Sequence, residues 1–227
     1  MNPRVLLLFD IDGTLLLGAS EAHRDAIYEG LRETFGVADP GAVRVPAAGR
    51  TDSEIARAIL RQSGLDGTFD AAAERFRAAC DAAYRRLCPA TLTTHVAPGV
   101  LELLDGLEEA EVSLVTGNYE PIARRKLAAA GLGHHFSAGQ GGFGSDAENR
   151  ALLPAIARRR AAFDGGPHPR ERTIVIGDTP RDIACARADG VRVFAIASGP
   201  YPAEALDQAD AVFPDAWALR TRLEAEL

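Results

Sequence analysis

The chain opens on Val5-Leu6-Leu7-Leu8-Phe9, an unbroken apolar run that stops abruptly at Asp10-Ile11-Asp12-Gly13-Thr14. A strand with one face in water alternates apolar and polar residues, whereas a parallel strand covered by helices on both faces is apolar throughout. The run therefore predicts a strand at the centre of a layered α/β fold. The pattern recurs along the chain. An apolar stretch at 112–115 leads into Thr116-Gly117-Asn118, and another at 173–176 leads into Gly177-Asp178-Thr179-Pro180. Shorter runs at 191–196 and 211–213 add two more strands. Helical periodicity fills the intervals at 121–130, 151–162 and 182–188. Strands alternating with helices build βαβ units, so the expected class is α/β with a Rossmann-like, three-layer parallel sheet.

The interval between the first two strands reads differently. Segments 20–35, 52–62 and 69–87 are helical in period and rich in Ala, Arg and Glu, with no strand among them. Gly36, Pro40, Gly41, Pro46, Gly64 and Gly67 punctuate them. An all-helical insertion at 16–94 thus divides a core made of 1–15 and 95–227, with hinges expected near 16–19 and 94–98.

In an open parallel sheet, ligands bind beyond the carboxyl ends of the strands. Three strand ends here carry polar residues that a plain turn does not need: Asp10 and Asp12, then Thr116 and Asn118, then Asp178 and Asp182. If those strands are neighbours, four carboxylates share a small volume, an arrangement that is costly without a counter-charge. A divalent cation resolves it, and an all-oxygen ligand set suits Mg²⁺ over zinc.

This constellation resembles the haloacid dehalogenase-like hydrolase superfamily, whose motifs occur here in order. The nucleophile motif is Asp10-Ile11-Asp12-Gly13-Thr14 behind its hydrophobic strand, the second motif is Thr116, and the acidic motif is Gly177-Asp178-Thr179-Pro180-Arg181-Asp182. The helical insertion lies where the family carries its first type of cap, and the chain looks most like the phosphoglycolate-phosphatase and β-phosphoglucomutase branch. The family's third motif supplies a Lys or Arg before the acidic strand. Arg150, in Asp146-Ala147-Glu148-Asn149-Arg150, holds that place, although the common Lys-Pro form is absent. Lys126 is the rival, as the sole lysine of the chain. It lies roughly 10 Å along the helix that follows Thr116, at about 1.5 Å per residue, which favours Arg150.

The resemblance implies a two-step phosphoryl transfer. Asp10 is the expected nucleophile, Asp12 the acid and then the base. Mg²⁺ is expected on Asp10, the carbonyl of Asp12, Asp178 and Asp182, with Thr116 and Arg150 on the phosphoryl oxygens. Gly13, Thr14, Gly117 and Asn118 border the same place, where the glycines admit close approach of the chain. Within the insertion, Ala48-Gly49-Arg50-Thr51-Asp52 leads into a helix. Thr51 with Glu54 fits a capping box, and Arg50 is a candidate for an anionic group of the substrate. Asp10 and Asp12 also have a plainer reading as turn formers, and Asp182 as a helix-start residue favoured by the dipole.

Composition narrows the class. A net charge of −7 argues against a nucleic-acid partner, which usually needs a basic face. No apolar run reaches the roughly 18–20 residues of a membrane span, so a cytoplasmic protein with no membrane partner is expected. The three cysteines have neither the pairing nor the spacing of a disulfide or metal framework. The five histidines form no ligand pair and are assigned no chemistry. Among family activities, Asp12 argues against dehalogenation, which has no leaving alcohol to protonate. The absence of lysine from the insertion argues against the family's Schiff-base phosphonate hydrolysis. A phosphatase acting on a small phosphorylated metabolite such as phosphoglycolate is the favoured reading. A sugar phosphomutase and a non-catalytic phosphoacceptor domain stand as alternatives.

Overall fold

The computed structural model describes residues 3–227, apart from the side chain of Asp66. Six parallel strands form one sheet: β1 (Val5–Phe9), β2 (Ala110–Thr116), β3 (Gly142–Phe143), β4 (Thr173–Gly177), β5 (Arg192–Ile196) and β6 (Ala211–Phe213). Their spatial order is β3-β2-β1-β4-β5-β6, which places β1 between the other two strands with polar ends. Phe9 is in register with Leu114 on one side and Ile176 on the other. The carboxyl ends of β1, β2 and β4 therefore open side by side.

The unbroken apolar character of β1 has a simple cause. Val5, Leu7 and Phe9 enter one core with α4 (Val100–Asp105), α5 (Glu120–Ala129) and α8 (Ala216–Glu224). Leu6 and Leu8 enter the opposite core with α6 (Leu153–Arg160) and α7 (Pro180–Asp189). All five side chains are buried, and alternate residues serve alternate faces. Two helices, α4 and α8, and the two-residue strand β3 had no sequence signal strong enough to mark them. β3 lies within Gly141-Gly142-Phe143-Gly144, where glycines hide any period.

The insertion comprises α1 (Glu21–Phe35), α2 (Asp52–Gln62) and α3 (Phe69–Leu87). Their mutual core includes Ile27, Leu31, Ile59, Phe76 and Tyr84. Tyr119 and Ile122, from the start of α5, belong to this same cluster, so the insertion packs directly on the helix that follows β2. The two connections run beside each other: Leu17 N donates to His95 O (2.8 Å) and Ala97 N to Leu15 O (3.0 Å). No helix of the described residues is long and apolar enough to cross a membrane.

Candidate active site

Each strand end delivers its polar residues because the backbone turns sharply there. Gly13 has φ +91°, a conformation that a side chain resists. A Cβ at Gly13 would also collide with the Asp178 carboxylate. Asp10, Asp178 and Asp182 come together here, each with a carboxylate oxygen within 4.8 Å of the others, and all three are buried. Arg150 lies against two of them: its Nη2 is 3.2 Å from Asp10 Oδ1 and donates a short hydrogen bond to Asp182. Thr14 Oγ1 donates to Asp178 Oδ1 (3.0 Å). The other oxygen, Asp178 Oδ2, is buried with no hydrogen-bond partner among the described residues.

The electrostatics follow from these contacts. Burial pushes Asp178 up to about 8, with Asp182 and Asp10 adding like charge. Asp10 is raised to about 6: burial and the acids Asp182 and Asp12 lift it, while Arg150 draws it down. Both shifts come first from burial, and the clustered carboxylates add to it. Asp10, Asp12, Asp178 and Asp182 bring four carboxylates against the two cations Arg150 and Lys126, leaving a deficit that matches one divalent ion. The orphaned Asp178 oxygen and the all-carboxylate donor set fit Mg²⁺. Asp182 does two jobs at once, since its Oδ2 also accepts from Thr179 N (3.0 Å) and Thr179 Oγ1 (2.7 Å) in the capping box of α7.

Asp12 sits in a different environment. Lys126 Nζ donates to both of its oxygens at 2.7 Å, Asn118 Nδ2 to Oδ2 at 3.0 Å and Ser20 Oγ to Oδ1 at 3.1 Å. Burial alone would raise this carboxyl, but Lys126 and His23 outweigh it and hold it near 2. Lys126 therefore reaches the catalytic edge despite its distance along α5. Helical side chains lean toward the N-terminus of their helix, and the lysine stem covers the remaining gap. Lys126 is fully buried and also contacts Asn118 Oδ1 (3.0 Å) and His23 Nδ1 (3.2 Å). Its one sequence signal was its solitude among 25 basic residues.

The structure also brings in residues that carried no signal. His23 Nε2 is 3.1 Å from Asp52 Oδ2, an oxygen that further accepts from Tyr119 N (2.7 Å). A buried chain thus runs from Asp52 in the insertion through His23 and Lys126 to Asp12 in the core, so His23 does belong to the site. Ser198 Oγ, beyond β5, donates to Gly13 O (2.8 Å) and helps hold the first turn in place.

Thr116 is buried at the end of β2, where its Oγ1 accepts from Asn118 N at 3.4 Å. At Gly117 the insertion meets the core, since Asp52 N donates to Gly117 O (2.9 Å). A Cβ at Gly117 would strike the Arg50 carbonyl. The expected consequence is that Gly117→Ala lifts the loop off the sheet edge and lowers kcat/KM about 10²-fold, the cost of roughly 1 Å of misplacement. Steady-state kinetics beside a thermal melt checks this, and unchanged kcat/KM would show that the loop contact has no part in catalysis. Thr51 does form its capping box with Glu54 (3.0 and 3.2 Å), and its hydroxyl donates to Glu148 O (2.8 Å). Arg50 borders the cavity, with its Nε donating to Pro46 O (2.9 Å).

One cavity of about 510 Å³ has Asp10, Asp12, Gly117, Arg150 and Asp178 on its floor and the insertion as its roof, while Thr14, Thr116, Lys126 and Asp182 are buried behind that lining.

Comparison with known proteins adds three facts. The sequence model described as haloacid dehalogenase-like hydrolase matches residues 7–187. No curated protein matches the chain. Solved structures share the fold: a haloacid dehalogenase-like family hydrolase from Streptococcus pneumoniae has 19% identity and TM-score 0.63, covering 98% of this chain and 100% of its own. A β-phosphoglucomutase from Clostridium difficile has 15% identity and TM-score 0.72, covering 99% and 96%. A Lactobacillus plantarum protein assigned as a phosphoglycolate phosphatase has 18% identity and TM-score 0.63, covering 96% and 98%.

Proposed function

The chain belongs to the haloacid dehalogenase-like hydrolase family, and from that premise we propose that it is a Mg²⁺-dependent phosphatase that hydrolyses a small phosphate monoester through an aspartyl-phosphate on Asp10. The observation that carries this reading is the division of labour between two aspartates at one strand end. Asp10 faces Arg150 and the acidic cluster, while Asp12 is turned to Lys126 and Asn118. Two carboxylates in unlike surroundings suit a nucleophile and an acid–base.

In the first half-reaction an Asp10 oxygen bonds to phosphorus as the bond to the alcohol breaks, and Asp12 gives the departing oxygen its proton. In the second, water bonds to phosphorus, Asp12 takes the water's proton, and the bond to Asp10 breaks to release phosphate. Lys126 favours the ionised Asp12 that the second half needs. The proton that Asp12 takes from water in the second half is the one it gives to the leaving oxygen of the next turnover, so the cycle balances without another donor. The Arg150 guanidinium, the Thr116 hydroxyl and the N–H groups of Ile11, Asp12 and Gly117 are the donors for phosphoryl oxygens. Asp10, Asp178 and Asp182 would hold the Mg²⁺, which supplies neutralisation of phosphoryl charge when bound.

Phosphate release from a panel of monoesters tests the reading. Chelation is expected to reduce turnover to background and added Mg²⁺ to restore it; full activity in the chelated protein would rule out the metal. A phosphomutase would use the same two aspartates, and it would keep the phosphate on its product instead of releasing it.

A further inference from the structure

The roof of the cavity says what the phosphate is attached to. Above the carboxylate floor its walls are Leu17, Ile27, Tyr28, Val45, Ile55 and Ile59, contributed by the first hinge, α1, the loop before α2, and α2 itself. Ile27 and Ile59 are buried and anchored in the core of the insertion, so this surface is a fixed part of the fold. Most of the polar side chains that border the same space have partners already, the exceptions being the Tyr28 hydroxyl and the Nη groups of Arg50. His23 is held between Asp52 and Lys126, and Ser20 donates to Asp12 (3.1 Å). Arg24 binds Asp25 (2.7 Å) at the rim, and Arg50 donates to Pro46 O.

A sugar phosphate needs hydrogen-bond partners for several hydroxyls, and a site that discriminates by hydroxyl must present them. The two carbons of phosphoglycolate would leave most of about 510 Å³ unfilled. An apolar wall of this kind rewards only the removal of carbon from water.

Building on the phosphatase reading, we propose that the substrate is the phosphate monoester of an apolar alcohol, with its hydrocarbon body lying against Ile27, Tyr28, Val45, Ile55 and Ile59. The n-alkyl phosphates from ethyl to hexyl isolate this term, because their leaving oxygens are chemically alike and only the buried length changes. With Mg²⁺ and the full chain, kcat/KM is expected to rise about fourfold per added methylene until the cavity is filled. Hexyl phosphate is expected to exceed glucose 6-phosphate and phosphoglycolate by at least about tenfold. Val45→Asp, at a half-buried wall position, is expected to lower kcat/KM for hexyl phosphate about tenfold or more and to flatten the series. A flat or falling series, or a sugar phosphate or phosphoglycolate as the better substrate, overturns the apolar assignment and leaves the phosphatase standing. Absence of turnover on every ester overturns both.

Discussion

Asp10→Asn is expected to remove phosphate release almost completely, with kcat down on the order of 10⁴-fold or more. The amide keeps the shape of the carboxylate and loses its nucleophilic oxygen, so no covalent intermediate forms. A fold defect is not the expected cause. Burial and neighbouring acids already disfavour the ionised Asp10, so a neutral side chain removes repulsion from Asp182 and Asp12 while giving up the attraction of Arg150. The cation-free variant should therefore melt no lower than the parent. Single-turnover kinetics with a trapped, radiolabelled substrate checks the point directly. Label bound to the parent and absent from the variant supports the nucleophile. Undiminished turnover in the variant ends the proposal.

Lys126→Met is the second large effect, and it acts on stability and rate together. Methionine replaces most of the lysine stem and deletes the charge that contacts Asp12, Asn118 and His23. Removing one partner of a buried ion pair costs about 3–5 kcal/mol, because the other charge stays behind without compensation. Asp12 retains some exposure, with its side chain 26% accessible, which places the expectation near about 3 kcal/mol. Denaturant titration reads this as a fall in midpoint at constant slope. Adding Asp12→Asn should recover much of the loss, since that double variant has no stranded carboxylate. The rate should fall by about 10²–10⁴-fold, the usual contribution of a positioned acid–base. A destabilisation below about 1 kcal/mol would mean that the pair behaves like an exposed surface contact.

The two cations of the site show how far a linear reading reaches. Arg150 is legible from motif order, which calls for a cation before the acidic strand, and it does lie at Asp10 and Asp182. Distance along α5 alone disfavours Lys126, and only the direction of its side chain brings it to Asp12. His23 and Asp52 had no local signature, since each is an ordinary residue on an amphipathic helix until the insertion folds over the core.

What the sequence determined by itself was everything governed by local period and by charge at strand ends. The apolar runs required buried parallel strands, and the acids at the strand ends called for positive charge beside them. The helical insertion likewise followed from an interval with no β pattern. Only the tertiary structure decided which strands are neighbours, how the roof meets the floor at Gly117, and that the roof carries an apolar wall. Those outcomes come from packing between segments far apart in the chain, where a side chain's role depends on what folds against it and not on the residues beside it.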